Sequence, residues 1–183
     1  GTRAVISSMM GHNYYGVEIR NEEVERINKV KDKLKLNYTV IKGDAIKKNF
    51  KNIKFNFSIS CPPYYDLEKY SNLHNDFSNQ KSYKDFLDLI SLSLKQTYSL
   101  LVEESLCVWV VGNFRNKFGE LEHFNGDVIK IGKENGFVLL DELIFEGASK
   151  AAYTRCGKFE KNRKSVRVHE YIIIFKKTKK PIF

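Results

Sequence analysis

The sequence has few cysteines and histidines and lacks long apolar runs, and each shortage excludes a class of protein. Its three cysteines, Cys61, Cys107 and Cys156, lie far apart without a Cys-x-x-Cys pair, which argues against a disulfide framework or a structural zinc site. The four histidines are equally scattered, so no metal site is predicted. The longest apolar runs are strand-sized, so no membrane-spanning helix is expected. We therefore predict a reduced, cytoplasmic protein without a metal or membrane partner.

Positive charge is abundant and concentrated near one end of the chain. The 31 lysines and arginines exceed the 22 acidic residues, which gives a net charge of +9. The stretch 147–180 holds 11 basic and 2 acidic residues, so it carries the whole excess. A local basic field indicates a polyanionic partner, and a solvated basic surface is the alternative. At 183 residues the chain is expected to form one domain.

Helices and strands are predicted to alternate along the chain. The sequence predicts a short helix over 2–10 and further helices over 21–34, 83–101 and 127–135. Strand patterns cover 14–19, 38–41, 55–60, 106–111, 137–145 and 168–176. This alternation predicts an α/β fold with a mostly parallel sheet covered by helices on both faces. Ligands bind such sheets outside the carboxyl ends of the strands, so residues that follow strands are site candidates.

Two carboxylates follow predicted strands. Glu18 comes after Gly16 at the end of the first strand, where a carboxylate is the usual partner of ribose hydroxyls. The alternative is a surface glutamate at the start of a helix. Asp44 follows Gly43 at the end of the next strand and is able to accept a hydrogen bond from the amine of an adenine. Its alternative role, as the cap of the following turn, is compatible with the first.

The run Ser60-Cys61-Pro62-Pro63-Tyr64 is the most distinctive feature of the sequence. Proline fixes φ and has no N–H, so two prolines after a strand make a stiff loop whose carbonyls are free to face a ligand. Tyr64 offers a flat ring on which a base is able to stack. The alternative is an ordinary loop that ends a strand.

Cys61-Pro62-Pro63-Tyr64 resembles the (Asp/Asn/Ser)-Pro-Pro-Tyr motif of S-adenosylmethionine-dependent amino-methyltransferases that act on DNA. The longer string SCPPYYDLEKYS looks like its version in phage and prophage modification methylases. Four further segments are similar to the cofactor-binding part, the later strands and the basic loop of that family: GTRAVISSMMGHNYYGVEIR, VWVVGNFRNKFGE, SKAAYTRCGKFEKNRKSVR and VHEYIIIFKK. The resemblance implies a Rossmann-like class I methyltransferase domain over 1–183, with an antiparallel C-terminal strand.

The resemblance also implies roles for individual residues. The motif residues Cys61, Pro62, Pro63 and Tyr64 would hold a flipped base and accept hydrogen bonds from its amine, which localises the nitrogen lone pair for attack on the cofactor methyl group. The cofactor S-adenosylmethionine would be bound by Gly1, Thr2, Glu18, Ile19, Asp44 and Ala45. DNA would be contacted by the basic loop 149–167 through Lys150, Arg155, Lys158, Lys161, Arg163, Lys164 and Arg167.

The sequence departs from the family pattern at two places. Cys61 stands where an oxygen acceptor is more usual, and because cysteine precedes proline here we do not expect it to act as a covalent nucleophile. The chain begins at Gly1 without the glycines that precede this point in the family, so we expect the start of the cofactor loop to lie upstream. The leading prediction is a site-specific DNA methyltransferase acting on adenine N6 or cytosine N4. The alternatives are a methyltransferase of RNA bases or protein glutamine, and a degenerate nucleic-acid-binding module without activity.

Overall fold

The computed structural model describes residues 1–147, 163, 165 and 167–179. Its helices are α1 Thr2–Met9, α2 Asn21–Leu34, α3 Tyr83–Leu100 and α4 Phe124–Glu134, and a single 3-10 turn covers Phe77–Asn79. Its strands are β1 Tyr14–Glu18, β2 Tyr38–Lys42, β3 Phe55–Ser60, β4 Leu101–Val111, β5 Phe114–Arg115, β6 Leu121–Glu122, β7 Val138–Glu146 and β8 His169–Lys176. No helix among these residues is long and apolar enough to cross a membrane.

The longer strands confirm the predicted mixed topology. One sheet has the order β3-β4-β8-β7, in which β3 and β4 are parallel and β8 is antiparallel to both of its neighbours. β1 and β2 form a separate parallel pair, and β5 and β6 form a short hairpin. β8 is therefore the predicted antiparallel C-terminal strand. The expected single sheet, however, is divided into two parts within the described residues.

The main core lies between the four-stranded sheet and the helices α3 and α4. The register pairs Trp109 of β4 with Ile173 of β8, and both side chains are essentially inaccessible to solvent. Phe86 of α3 and Val128 of α4 are fully buried in the same cluster. Burial of one large apolar side chain contributes roughly 1.5–3 kcal/mol, so this cluster fixes β8 and β4, and β4 in turn pairs with β3.

Two elements begin three or more residues earlier than the sequence predicts, and each does so for its own reason. β4 begins at Leu101 instead of residue 106, although it passes through Glu103 and Glu104. Glu104 has a φ of 65°, and the pairing with β3 jumps from Leu101 to Leu106, so the early part of β4 bulges away from its partner. α4 begins at Phe124 rather than at residue 127, because Phe124 is a fully buried core residue.

Candidate active site

A cavity of about 300 Å³ opens at the carboxyl edge of the strands. We call it the carboxyl-edge cavity. Glu18, Asp44 and Pro63, which end or follow β1, β2 and β3 respectively, all line it. The predicted cofactor residues Ile19 and Ala45 line it as well. The structure therefore brings four of the six predicted cofactor residues together with one residue of the Pro-Pro-Tyr motif.

The Glu18 carboxylate is held in place by hydrogen bonds from Arg20. Its Oε1 accepts hydrogen bonds from the backbone N–H of Arg20, at 3.0 Å, and from Nε of Arg20, at 3.4 Å. The Glu18 side chain keeps 28% of its surface exposed. Because a carboxylate is able to accept about four hydrogen bonds, the group keeps capacity for the hydroxyls of a ligand.

The side chain of Asp44 accepts one local and one distant hydrogen bond. Its Oδ1 accepts from the backbone N–H of Ile46 at 3.0 Å, and its carbonyl oxygen accepts from the N–H groups of Lys47 and Lys48. Its Oδ2 accepts from Nδ2 of Asn75 at 2.9 Å. Asp44 thus caps the turn after β2 and also lines the carboxyl-edge cavity.

The loop between β3 and α3 forms a further part of the cavity wall that the sequence analysis missed. Asp76 is buried at its centre and accepts hydrogen bonds from Ser71 Oγ, at 2.6 Å, and from the N–H of Ser78, at 2.9 Å. Tyr70 and Asn75 of this loop line the cavity. The frequent asparagine, aspartate and serine residues are typical of turns that hydrogen-bond to their own backbone, and this was the available signal.

The remaining predicted cofactor residues, Gly1 and Thr2, line a neighbouring cavity of about 350 Å³. Glu18 and Val17 line both cavities. The amino end of the chain therefore lies beside the carboxyl end of β1.

Tyr64 of the Pro-Pro-Tyr motif is held between β4 and β8. Its hydroxyl donates a hydrogen bond to Glu170 of β8, and its ring packs against Gly112, where an added Cβ would lie 3.3 Å from the ring. Burial and the bond to Glu170 raise the pKa of Tyr64 well above its usual range. The tyrosine is therefore neutral at physiological pH, and its ring position depends on a residue of the last strand.

Cys61 is exposed, yet enough protein surrounds its thiol to raise the pKa of that group. Desolvation is the main cause; the charge of Arg3 acts in the opposite direction, while Glu170 adds to the rise. A raised pKa keeps the thiol protonated near neutral pH, and the thiolate is the nucleophilic form of cysteine. The environment of Cys61 thus does not activate it for covalent attack.

Only two of the predicted DNA-binding residues lie within the described part of the chain. Arg163 is exposed. Arg167 is half-buried, and burial together with the nearby Arg115 guanidinium lowers its pKa. The other five lie outside the described residues: Lys150, Arg155, Lys158, Lys161 and Lys164. Among described residues, no cluster of three histidine, cysteine or carboxylate side chains is able to hold a metal ion.

The fold defined by these elements is that of Rossmann-like methyltransferases. An S-adenosylmethionine-dependent methyltransferase from Methanosarcina mazei is 14% identical, with a TM-score of 0.63 over 95% of this chain and 86% of its own. A methyltransferase from Pyrococcus furiosus is 13% identical, with a TM-score of 0.62 over 97% of this chain and 68% of its own. At these identities the likeness shows the fold alone.

The family follows from the sequence itself. The profile of the family described as DNA methylase matches residues 55–183, so the chain belongs to that family and the resemblance noted above is confirmed. A candidate DNA modification methylase from Thermus thermophilus, solved in complex with S-adenosyl-L-methionine, is 20% identical, with a TM-score of 0.55 over 77% of this chain. This chain spans 56% of that protein. No curated protein matches the chain.

Proposed function

We propose that this chain is the catalytic domain of a DNA methyltransferase that transfers a methyl group from S-adenosylmethionine to adenine N6 or cytosine N4. One observation carries the proposal. In a chain of the DNA methylase family, a cavity at the carboxyl edge of the strands is lined by Glu18, Asp44 and Pro63. Two oriented carboxylates next to the Pro-Pro-Tyr motif are the groups needed to hold a nucleoside-type cofactor beside a second base.

The residues of the carboxyl-edge cavity fit the adenosine part of S-adenosylmethionine. The Glu18 carboxylate suits the ribose hydroxyls, and the Asp44 carboxylate suits the adenine amine, since both are acceptors with fixed orientation. Val17 and Phe77 supply apolar surface for the purine ring. When bound, the cofactor supplies an activated methyl group, and the chain contributes position and electrostatics.

The Pro-Pro-Tyr motif is proposed to hold the target base. Cys61 Sγ and the carbonyl of Pro62 accept hydrogen bonds from the base amine, which concentrates the lone pair on the nitrogen. The thiol is a weak acceptor, so the carbonyl in the stiff Pro62-Pro63 loop bears most of this role. Tyr64 is neutral and anchored to Glu170, so its ring is positioned to stack on a base taken out of the helix.

The proposed DNA-binding surface extends from this edge. Gly112, which contacts Tyr64, leads into the β5–β6 hairpin that carries Arg115. In addition to burial, the nearby charge of Arg115 lowers the pKa of Arg167. A bound phosphate would relieve the repulsion between the two guanidinium groups. The exposed Arg163 and the basic residues of the loop 149–167 would add further phosphate contacts.

Calorimetry of S-adenosylmethionine binding tests the cofactor half of the proposal. Replacing Glu18 with alanine removes hydrogen bonds from a charged acceptor and should weaken binding by about 1–3 kcal/mol. Glu22→Ala is the matched control, because Glu22 is exposed on α2 and does not line the carboxyl-edge cavity. Equal affinities of the two variants for S-adenosylmethionine would show that Glu18 does not bind the cofactor.

Three finer points stay predictions. Adenine N6 and cytosine N4 are equally compatible with the motif. Membership of a restriction-modification system or a phage rests on the sequence resemblance, and a cytoplasmic location rests on the scattered cysteines and the strand-sized apolar runs. Separation of methylated nucleosides from treated DNA decides the first of these directly.

A further inference from the structure

The β5–β6 hairpin ends in a tip, residues 116–120, that presents an aromatic ring to solvent. Phe118 is 82% exposed, the largest fraction for a large apolar side chain in the described part of the chain. Single exposed apolar residues are common on protein surfaces and need no partner by themselves. The hydrogen bonds, the charges and the position of the tip set Phe118 apart from such residues.

Hydrogen bonds hold the tip in one shape. Oδ1 of Asn116 accepts from the backbone N–H groups of Phe118, at 3.0 Å, and Glu120, at 3.1 Å. Gly119 has a φ of 82°, and its N–H donates to the carbonyl of Asn116 at 2.9 Å. The two acidic side chains, Glu120 and Glu122, both accept from Nδ2 of Asn116, so they are engaged within the turn. Phe118 therefore stands on a stiff turn, which limits the entropy lost when its ring enters a binding site.

Positive charge lies next to the exposed ring and at the base of the hairpin. Nζ of Lys117 is 5.2 Å from the centre of the Phe118 ring. Arg115, in β5, carries its charge close to Arg167. Nη1 of Arg167 is buried and has no hydrogen-bond partner among the described residues. A phosphate would supply the acceptor that this N–H group lacks. The combination of an apolar ring and flanking cations suits a nucleic acid, whose bases are flat and whose edges are anionic.

The hairpin begins beside the Pro-Pro-Tyr motif. Phe114, its first residue, is buried, and the centre of its ring lies 6.3 Å from that of Tyr65. Gly112, two positions earlier, contacts the ring of Tyr64. Phe118 is six positions beyond Gly112. An extended chain spans at most about 3.6 Å per residue, so the two lie within roughly 22 Å, which is less than one turn of duplex DNA (about 34 Å). A duplex that delivers a base to the motif is therefore within reach of the tip.

We propose that Phe118 acts as a wedge that enters the base stack of duplex DNA where the target base leaves it. A base taken out of the helix loses its stacking, and an apolar side chain between the neighbouring bases replaces part of that loss. Lys117 and Arg115 hold the flanking phosphates. The inference rests on the proposed function only in taking duplex DNA as the partner, and it needs no methyl transfer.

A duplex with one abasic site tests the wedge without knowledge of a recognition sequence. Fluorescence anisotropy compares binding of the full chain to this duplex and to an intact duplex of the same sequence, without S-adenosylmethionine. The gap at the abasic site needs no base to be unstacked, so the wild-type chain should bind it on the order of tenfold more tightly. Phe118→Ala should lose this preference. Phe118→Trp should keep it, and stacking on the neighbouring bases should quench the emission of the added tryptophan.

Two control variants separate the wedge from other contacts. Phe145→Ala removes a phenylalanine that is 51% exposed on β7, outside the hairpin, and should keep the preference. Lys117→Ala should weaken binding to both duplexes alike and reduce the salt slope by about 0.9, because it removes one phosphate contact.

The outcomes distinguish failure of the wedge from failure of the proposed function. Equal binding of both duplexes by the wild-type chain, an unchanged preference in Phe118→Ala, or a lost preference in Phe145→Ala would overturn the wedge and leave methyl transfer untouched. Binding to neither duplex would contradict both the wedge and the proposed DNA substrate. Binding of anionic lipid vesicles that disappears in Phe118→Ala, without a preference between the duplexes, would assign the tip to a lipid surface instead.

Discussion

Replacing Gly132 with alanine tests how closely α4 packs against β8, the strand that carries the partner of Tyr64. A Cβ at Gly132 would lie 2.4 and 2.5 Å from two ring carbons of Phe175. Phe175 is fully buried, so its ring has no solvent to move into. Overpacking of this kind costs about 1–3 kcal/mol.

Gly126→Ala in the same helix is the matched control, because nothing lies within 4 Å of a Cβ at Gly126. Both substitutions improve helix propensity, by up to about 1 kcal/mol, so the difference between them isolates the contact with Phe175. We expect Gly132→Ala to be less stable than Gly126→Ala by about 1–3 kcal/mol, and to melt roughly 2–12 °C lower. Urea unfolding followed by circular dichroism measures this difference. Equal stability would show that α4 does not pack on β8 as described.

Two further predictions concern pH and salt. Burial and a 2.6 Å hydrogen bond to Asp127 raise the pKa of the Tyr83 hydroxyl. The stability that this neutral hydroxyl contributes is therefore complete below the unfolded-state pKa of about 10 and is lost as the pH rises above that value. Tyr83→Phe should flatten the fall in the free energy of unfolding between about pH 9 and 11. Replacing Lys161, Arg163 and Lys164 with alanine should reduce the slope of the logarithm of duplex DNA affinity against the logarithm of salt concentration by up to about 3. Identical slopes for wild type and variant would show that these residues do not contact the DNA phosphates.

The parts of the site that follow strands could be predicted from sequence. The boundaries of β3 agree with the predicted 55–60, because two prolines end the strand abruptly. Glu18 and Asp44 could be placed at one edge because the carboxyl ends of parallel strands meet there. These inferences need only local pattern and the general topology of α/β folds.

The rest depends on contacts between residues that are far apart in sequence. Tyr64 is oriented by Glu170, 106 positions away, and no local pattern encodes that hydrogen bond. Asn75 reaches Asp44 because buried hydrogen bonds of Asp76 shape its loop. The division of the sheet also escaped prediction, because a strand pattern does not specify its neighbour.

Methylation of defined duplex DNA by the full-length protein tests the central claim most directly. The reaction uses labelled S-adenosylmethionine, and the nucleosides are separated by mass spectrometry. Wild-type protein should yield N6-methyladenine or N4-methylcytosine. Tyr64→Ala should lose most of this product while it retains cofactor affinity, because the ring holds the base. Cys61→Ala should keep more activity than Pro62→Ala. A lack of methylated nucleosides despite cofactor binding, or a covalent DNA adduct through Cys61, would contradict the account.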